Sequence, residues 1–211
     1  DVMASFSSRG PAGSFIKPDV TAPGVQILAG QTPVLDAVDL GPEGEYFQAI
    51  AGTSMSGPHV AGAAILVKAA HPDWTPGQIH SALMTTATTA VVKEDEETPA
   101  DPFDMGSGRI RIDAAVSPGL TLDETATNFA DLTGTGNAID LKIPSVNAPI
   151  MPGRESTTRT FTNVGSGTDI NIEFVDKTMT GEYRMTMDPS EKDALLMVPG
   201  AGLTMMEQMG M

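Results

Sequence analysis

Cysteine is absent from the 211 residues. That excludes disulfides, thiolate zinc sites and a cysteine nucleophile together. Basic residues are scarce, 12 against 27 acidic, and the formal net charge is −15 at pH 7. Nucleic acid and an anionic membrane surface would both repel such a chain, so neither is expected as a partner. Long apolar runs are missing as well. The longest, Val60 to Ala70, is too short for a bilayer and contains Lys68. Asp1-Val2-Met3-Ala4-Ser5 shows neither the basic nor the apolar part of a secretory leader.

Glycine (22) and proline (16) are plentiful, so turns should be frequent. The patterning changes near residue 120. Residues 1–119 mix short apolar strands with two helices, and residues 120–211 show no helical period but alternate with a period of two. Val25-Gln26-Ile27-Leu28 reads as a short buried strand after the turn Thr21-Ala22-Pro23-Gly24. Gln31 to Glu45 reads as a surface loop and Tyr46 to Ala51 as a second strand. A helix is expected from Ser54–Ser56 to Ala70, apolar on nearly every side and therefore suited to the centre of a domain, with His71-Pro72 ending it. The next helix has Thr75 as N-cap, Pro76 in the first turn and Gln78 completing a capping box. Ile79, Leu83 and Ala87 give it one buried stripe. The run Lys93 to Glu97 reads as a solvated loop. In the second part Thr157–Val164, Asp169–Val175 and Glu182–Asp188 read as strands of a β-sandwich, with fewer strands than a complete one. Met205 to Met211 has no pattern and is expected to fray.

The segment that carries chemistry is Gly52-Thr53-Ser54-Met55-Ser56-Gly57-Pro58-His59-Val60-Ala61-Gly62. It sets a serine at the mouth of a helix. Backbone N–H groups there lack intrahelical partners, and the helix dipole favours negative charge. Such a serine is placed to attack a carbonyl while nearby N–H groups stabilise the oxyanion. Gly52 allows close approach of a substrate, and Gly52 and Thr53 are candidate substrate contacts. The string differs from the Gly-x-Ser-x-Gly elbow, because position 56 is serine. On spacing alone Ser54 reads as a plain helix cap, since serine is a favoured N-cap residue.

The full string resembles the nucleophile signature of the subtilisin-like serine proteases, the subtilases. Four further segments resemble that family in the family's order: Phe6-Ser7-Ser8-Arg9-Gly10-Pro11, Lys17 through Leu28, His71-Pro72-Asp73-Trp74-Thr75-Pro76 through Ala87, and Gly106-Ser107-Gly108-Arg109-Ile110 through Ala115. Leu141 to Ser145 and Arg159 to Gly165 are similar, more loosely, to the fibronectin-III-like domain of larger subtilases. The resemblance implies an α/β fold. Residues 1–119 would be the C-terminal part of a three-layer, parallel-sheet peptidase domain, and residues 120–211 a truncated fibronectin-III-like β-sandwich.

It also implies a serine endopeptidase acting on peptide or protein substrates through an acyl-enzyme on Ser54, secreted or extracellular. No cofactor is expected. Structural calcium occurs in the family, but no site for it can be picked out here. The triad acid and base and the side-chain oxyanion donor precede Phe6 in the family, so they have no counterpart in this chain. The missing N-terminal part of the domain is an expected partner, and without it the nucleophile helix and strand edges would be exposed. His59 lies about 140° round the helix from Ser54, and His71 on the order of 25 Å along it. His80 follows on the next helix, and none of the three suits the role of base. An unassisted serine is a weak nucleophile, so this polypeptide alone is expected to be inactive. The competing reading is a non-catalytic sandwich module with a relic protease segment.

Overall fold

The structure, a computed structural model, describes residues 1–13, 15–34, 41–132, 138–147, 156–166, 184–187 and 193–199. In chain order the elements are β1 (Ile27–Gly30), β2 (Phe47–Ile50), α1 (Thr53–Ala70), α2 (Pro76–Thr85), α3 (Pro102–Met105), α4 (Ile112–Ala115), β3 (Leu120–Thr121), α5 (Ala126–Asp131), a 3-10 turn (Ala138–Asp140), β4 (Ser156–Asn163), β5 (Arg184–Met187) and β6 (Asp193–Pro199). The expected strands at Asp169–Val175 and the chain end from Met205 lie outside the described residues.

Among the described residues two small sheets form. β1 and β2 form an antiparallel pair with Ile27 opposite Ile50 and Gly30 opposite Phe47. The other sheet has the order β3-β4-β6-β5, antiparallel throughout, with Thr157 opposite Val198 and Arg184 opposite Met197. Parallel pairing among the described residues is confined to the isolated bridges Val2–Val92 and Thr21–Arg109. β6 was not foreseen in the sequence, because Asp193–Pro199 has an apolar run in place of alternation.

α1 forms where expected, one residue earlier, but is buried on one side only. Ala63 and Val67 are buried, Val60 and Ala64 are partly so, and these positions make a single stripe at helical spacing. The outer face is open, with Ile65 68% and Leu66 53% exposed. The expectation of a helix buried all round is therefore corrected. Among the described elements only α2 and α4 pack closely on α1, and both lie on its inner side. Nor is β1 buried, since Leu28 is exposed.

The inner face of α1 joins Ile79, Leu83, Ile110 and Ala115 in one core, flanked by Val20, Ala22 and Trp74. Complete burial of a side chain such as Val67 stabilises by about 2 kcal/mol. α2 begins with the foreseen capping box. Thr75 Oγ1 accepts from Gln78 N at 3.1 Å, and Gln78 Oε1 accepts from Thr75 N at 3.0 Å. Its buried face is broader than the predicted stripe and includes Ser81, Ala82 and Met84, while Ala87 follows the helix end.

A second cluster of Met3, Val91, Ala100 and Met105 lies under the acidic loop. The loop residues 94–99 are exposed, but its flanks are tied down. Asp104 is buried and accepts from Arg9 Nη1 at 2.7 Å and from the Asp101 amide at 2.8 Å, with Lys93 Nζ at 3.0 Å. Arg9 also pairs with Glu94.

Residues 120–211 contain short helical elements that were not expected. Thr125 caps α5, its side chain accepting from Asn128 N at 3.3 Å. The segment around β3 is bound to α2. Ser81 Oγ accepts from Leu122 N at 2.7 Å, and Thr75 Oγ1 donates to Asp123 Oδ1 at 2.6 Å. Glu124 accepts from Thr125 N (2.7 Å) and Lys142 N (2.6 Å). Burial pushes the Glu124 carboxyl up, but these amides and the Asn128 side chain outweigh burial and hold it below the usual carboxylate range.

Arg159, a residue of β4, is only 1% exposed. Its guanidinium donates to the carbonyls of Ile143 (3.0 Å) and Ile139 (2.7 Å) and to Thr157 Oγ1 (2.8 Å). Burial lowers its pKa to about 10, with Asp140 and Glu124 acting the other way, so it remains a cation at neutral pH.

Candidate active site

The strand β2 runs out through Ala51 into Gly52, and α1 starts at Thr53. Gly52 is the N-cap and supplies no side-chain cap, so the first turn draws its stabilisation from elsewhere. The Gly52 carbonyl accepts from Met55 N (3.0 Å) and Ser56 N (3.3 Å), and Gly52 N donates to the Gly24 carbonyl at 2.8 Å. Among the described residues the N–H groups of Thr53 and Ser54 have no carbonyl partner. Pro58 sits inside the helix and carries no N–H, so the Ser54 carbonyl also lacks its usual i+4 donor.

Ser54 is exposed in this first turn. Its hydroxyl makes no hydrogen bond among the described residues, so the plain cap reading, which requires that hydroxyl to accept from a backbone N–H, does not describe it. Gly52 is half-buried and Thr53 exposed beside it, so the three candidate residues stand together at the helix mouth. The arrangement offers a hydroxyl beside free N–H groups at the positive end of an 18-residue helix, with no acidic residue in its first turn. Anionic charge developing there is stabilised.

Ser56 points the other way. Two residues turn the helix by about 200°, and the Ser56 hydroxyl donates to the Ala22 carbonyl at 3.0 Å. Gly24 passes so close that a Cβ on it would lie 2.2 Å from Ser56 Oγ and 2.9 Å from the Gly52 carbonyl oxygen. Only glycine fits there. The segment Ala22–Gly24 is itself anchored, because Thr21 N donates to Gly108 O at 2.8 Å and Ile110 N to Thr21 O at 3.0 Å. Sequence reading left Ser56 without a role, although its offset from Ser54 already puts it on the opposite side of the helix.

The three imidazoles are engaged elsewhere. His59 Nδ1 lies 2.8 Å from the Met55 carbonyl, which only accepts, so Nδ1 carries the proton. His59 also lines an open cavity of about 520 Å³ with Arg109 and Arg111, and Ser54 is not among its lining residues. His71 donates through Nε2 to Val116 O at 2.8 Å and stacks on Trp74 with centroids 3.8 Å apart. His80 Nε2 lies 3.5 Å from Asp19 Oδ2. Burial pushes the Asp19 carboxyl up, but His80 and Lys17 outweigh it and leave it below its ordinary value. Among the described residues no group of three or more His, Asp or Glu side chains is arranged to hold a metal ion.

Residues 1–108 match the model of the subtilase family. A subtilisin-like protease of Glycine max is 40% identical over 199 residues, covering 78% of this chain and 25% of the relative. The subtilisin-like protease SBT5.4 of Arabidopsis thaliana is 35% identical over 204 residues, 82% of this chain and 26% of its own length. A CO(2)-response secreted protease of Arabidopsis thaliana is 41% identical over 136 residues, 60% of this chain and 18% of the relative. The chain thus spans about a quarter of the length of the first two relatives.

Proposed function

Because the chain belongs to the subtilase family, we propose that it carries the nucleophile of a serine endopeptidase, and that Ser54 is that nucleophile. The observation that supports this is the exposed Ser54 hydroxyl beside the free N–H groups of Thr53 and Ser54. In the reaction Oγ bonds to the carbonyl carbon of a peptide, and its proton passes to a base. The carbonyl oxygen becomes an oxyanion, to which the Ser54 N–H donates. Collapse breaks the C–N bond and the amine leaves with a proton. Water then hydrolyses the ester and regenerates the hydroxyl.

The base lies outside the three histidines of this chain, each of which has another partner. Gly52 and Thr53 flank the reacting group and contact substrate backbone. The fold is the part of a parallel-sheet peptidase domain that follows the base, with residues 120–211 a fibronectin-III-like sandwich. The whole protein is secreted and cleaves peptide or protein substrates. A relative's printed name, a secreted protease, supports that placement, and no helix among the described residues is long and apolar enough to cross a membrane.

Two measurements test the proposal. The purified 211-residue chain is expected not to hydrolyse a chromogenic peptide, and turnover lost on Ser54→Ala would refute its dependence on an external base. In the polypeptide of the relatives' full length that carries this sequence, a fluorophosphonate is expected to modify Ser54. Labelling at another residue, or none, would sink the assignment and favour a binding module.

A further inference from the structure

Ser54 and Ser56 stand on opposite sides of one helical turn, and that turn has few bonds of its own. Gly52 supplies no side-chain cap, and Pro58 removes the donor for the Ser54 carbonyl. What holds the turn comes from Ala22–Gly24: Gly24 O to Gly52 N at 2.8 Å, and Ala22 O to the Ser56 hydroxyl at 3.0 Å. These two contacts bracket Ser54 in sequence. Behind them, Val20 and Ala22 pack on the core of Ala63, Val67 and Ile110, so the bracket is attached to the rigid part of the molecule.

We infer that Ser56 is a positioning residue: its hydrogen bond to the Ala22 carbonyl fixes the first turn of α1, and through it the direction of the Ser54 side chain and N–H. This rests on Ser54 being the nucleophile. Without the bond, the Ser56 side of the turn is held only by helix bonds that Pro58 has already thinned. The turn then samples several orientations, and the free N–H groups are no longer aimed where charge forms.

Because the chain has no cysteine, Ser54→Cys makes a single thiol that reports the field at position 54. Its thiolate pKa is read from the pH dependence of iodoacetamide alkylation. With Ser56 in place, the thiol is expected about half a pH unit below the ordinary cysteine value of about 8.5. Adding Ser56→Ala should return it to the ordinary value, and adding Ser56→Thr, which keeps the hydroxyl, should not. Gly24→Ala, whose Cβ would meet Ser56 Oγ at 2.2 Å, should act like Ser56→Ala through a different residue.

A depressed pKa in Ser54→Cys that neither Ser56→Ala nor Gly24→Ala changes would overturn the positioning role while leaving the nucleophile assignment standing. An ordinary pKa in Ser54→Cys itself would overturn both. Loss of the whole helical circular dichroism signal in both added variants would also overturn it, since Ser56 would then hold the fold rather than aim one turn.

Discussion

Replacing Asp104 by asparagine keeps the shape of the side chain and inverts half of its hydrogen bonding. The carboxylate is buried and faces three donors: Arg9 Nη1 at 2.7 Å on one oxygen, and the Asp101 amide at 2.8 Å with Lys93 Nζ at 3.0 Å on the other. An amide nitrogen in place of the second oxygen would set a donor against two donors. Hydrogen bonds to a charged acceptor contribute about 1.5–3 kcal/mol each, and breaking a buried pair costs about 3–5 kcal/mol. Arg9 and Lys93 are each about 30% exposed and regain water when released, which trims the loss. We expect Asp104→Asn to destabilise the chain by about 2–3 kcal/mol at pH 7, a fall in Tm of roughly 5–10 °C for a chain of this size.

The pH dependence gives the sharper test. Burial pushes the Asp104 carboxyl up, but the Asp101 amide, Lys93 and Arg9 outweigh it and hold it below its ordinary value. A carboxyl depressed in the folded state stabilises that state above its unfolded pKa of about 3.9, and the contribution disappears as pH falls through the lower folded value. The gap between wild type and Asp104→Asn should therefore be full above about pH 5 and close in stronger acid. Thermal unfolding followed by circular dichroism at pH 7, 5 and 3 measures it. A gap that is absent at pH 7, or that does not change with pH, would refute the reasoning.

Arg159→Met should cost about 2–4 kcal/mol, because the carbonyls of Ile143 and Ile139 each lose a buried guanidinium donor, although Ile139 keeps the Thr157 hydroxyl. Arg159→Lys should rescue little, since one ammonium cannot reproduce the fork, and urea unfolding of both variants that matched wild type would contradict this. The open outer face of α1 predicts self-association. Ile65→Lys with Leu66→Lys should move the chain toward monomer in size-exclusion chromatography, and unchanged elution would count against the exposed face as its cause.

The sequence by itself determined whatever depends on neighbours a turn apart. The Thr75 capping box, the end of α1 at His71 and the serine at the helix mouth follow from spacing, because a cap and its partner lie three residues apart and the period of a helix is local. The string around Ser54 also carried the family. It did not say which apolar residues would find cover. Ile65 and Val67 are equally apolar, yet one is 68% exposed and the other fully buried, because α2 and α4 pack on one side of α1 only.

Only the tertiary structure decided the long-range contacts. The Ser56 bond to Ala22 spans 34 residues and the Arg9 bond to Asp104 spans 95. Period-two alternation puts Arg159 on the same face of β4 as Phe161, but what takes up its charge there is a loop of carbonyls 14–20 residues earlier folding back around it. Periodicity fixes which side a residue faces on its own element. What waits on that side depends on chain segments that local pattern does not link, and there the hydroxyl of Ser56 and the carboxylate of Asp104 found their partners.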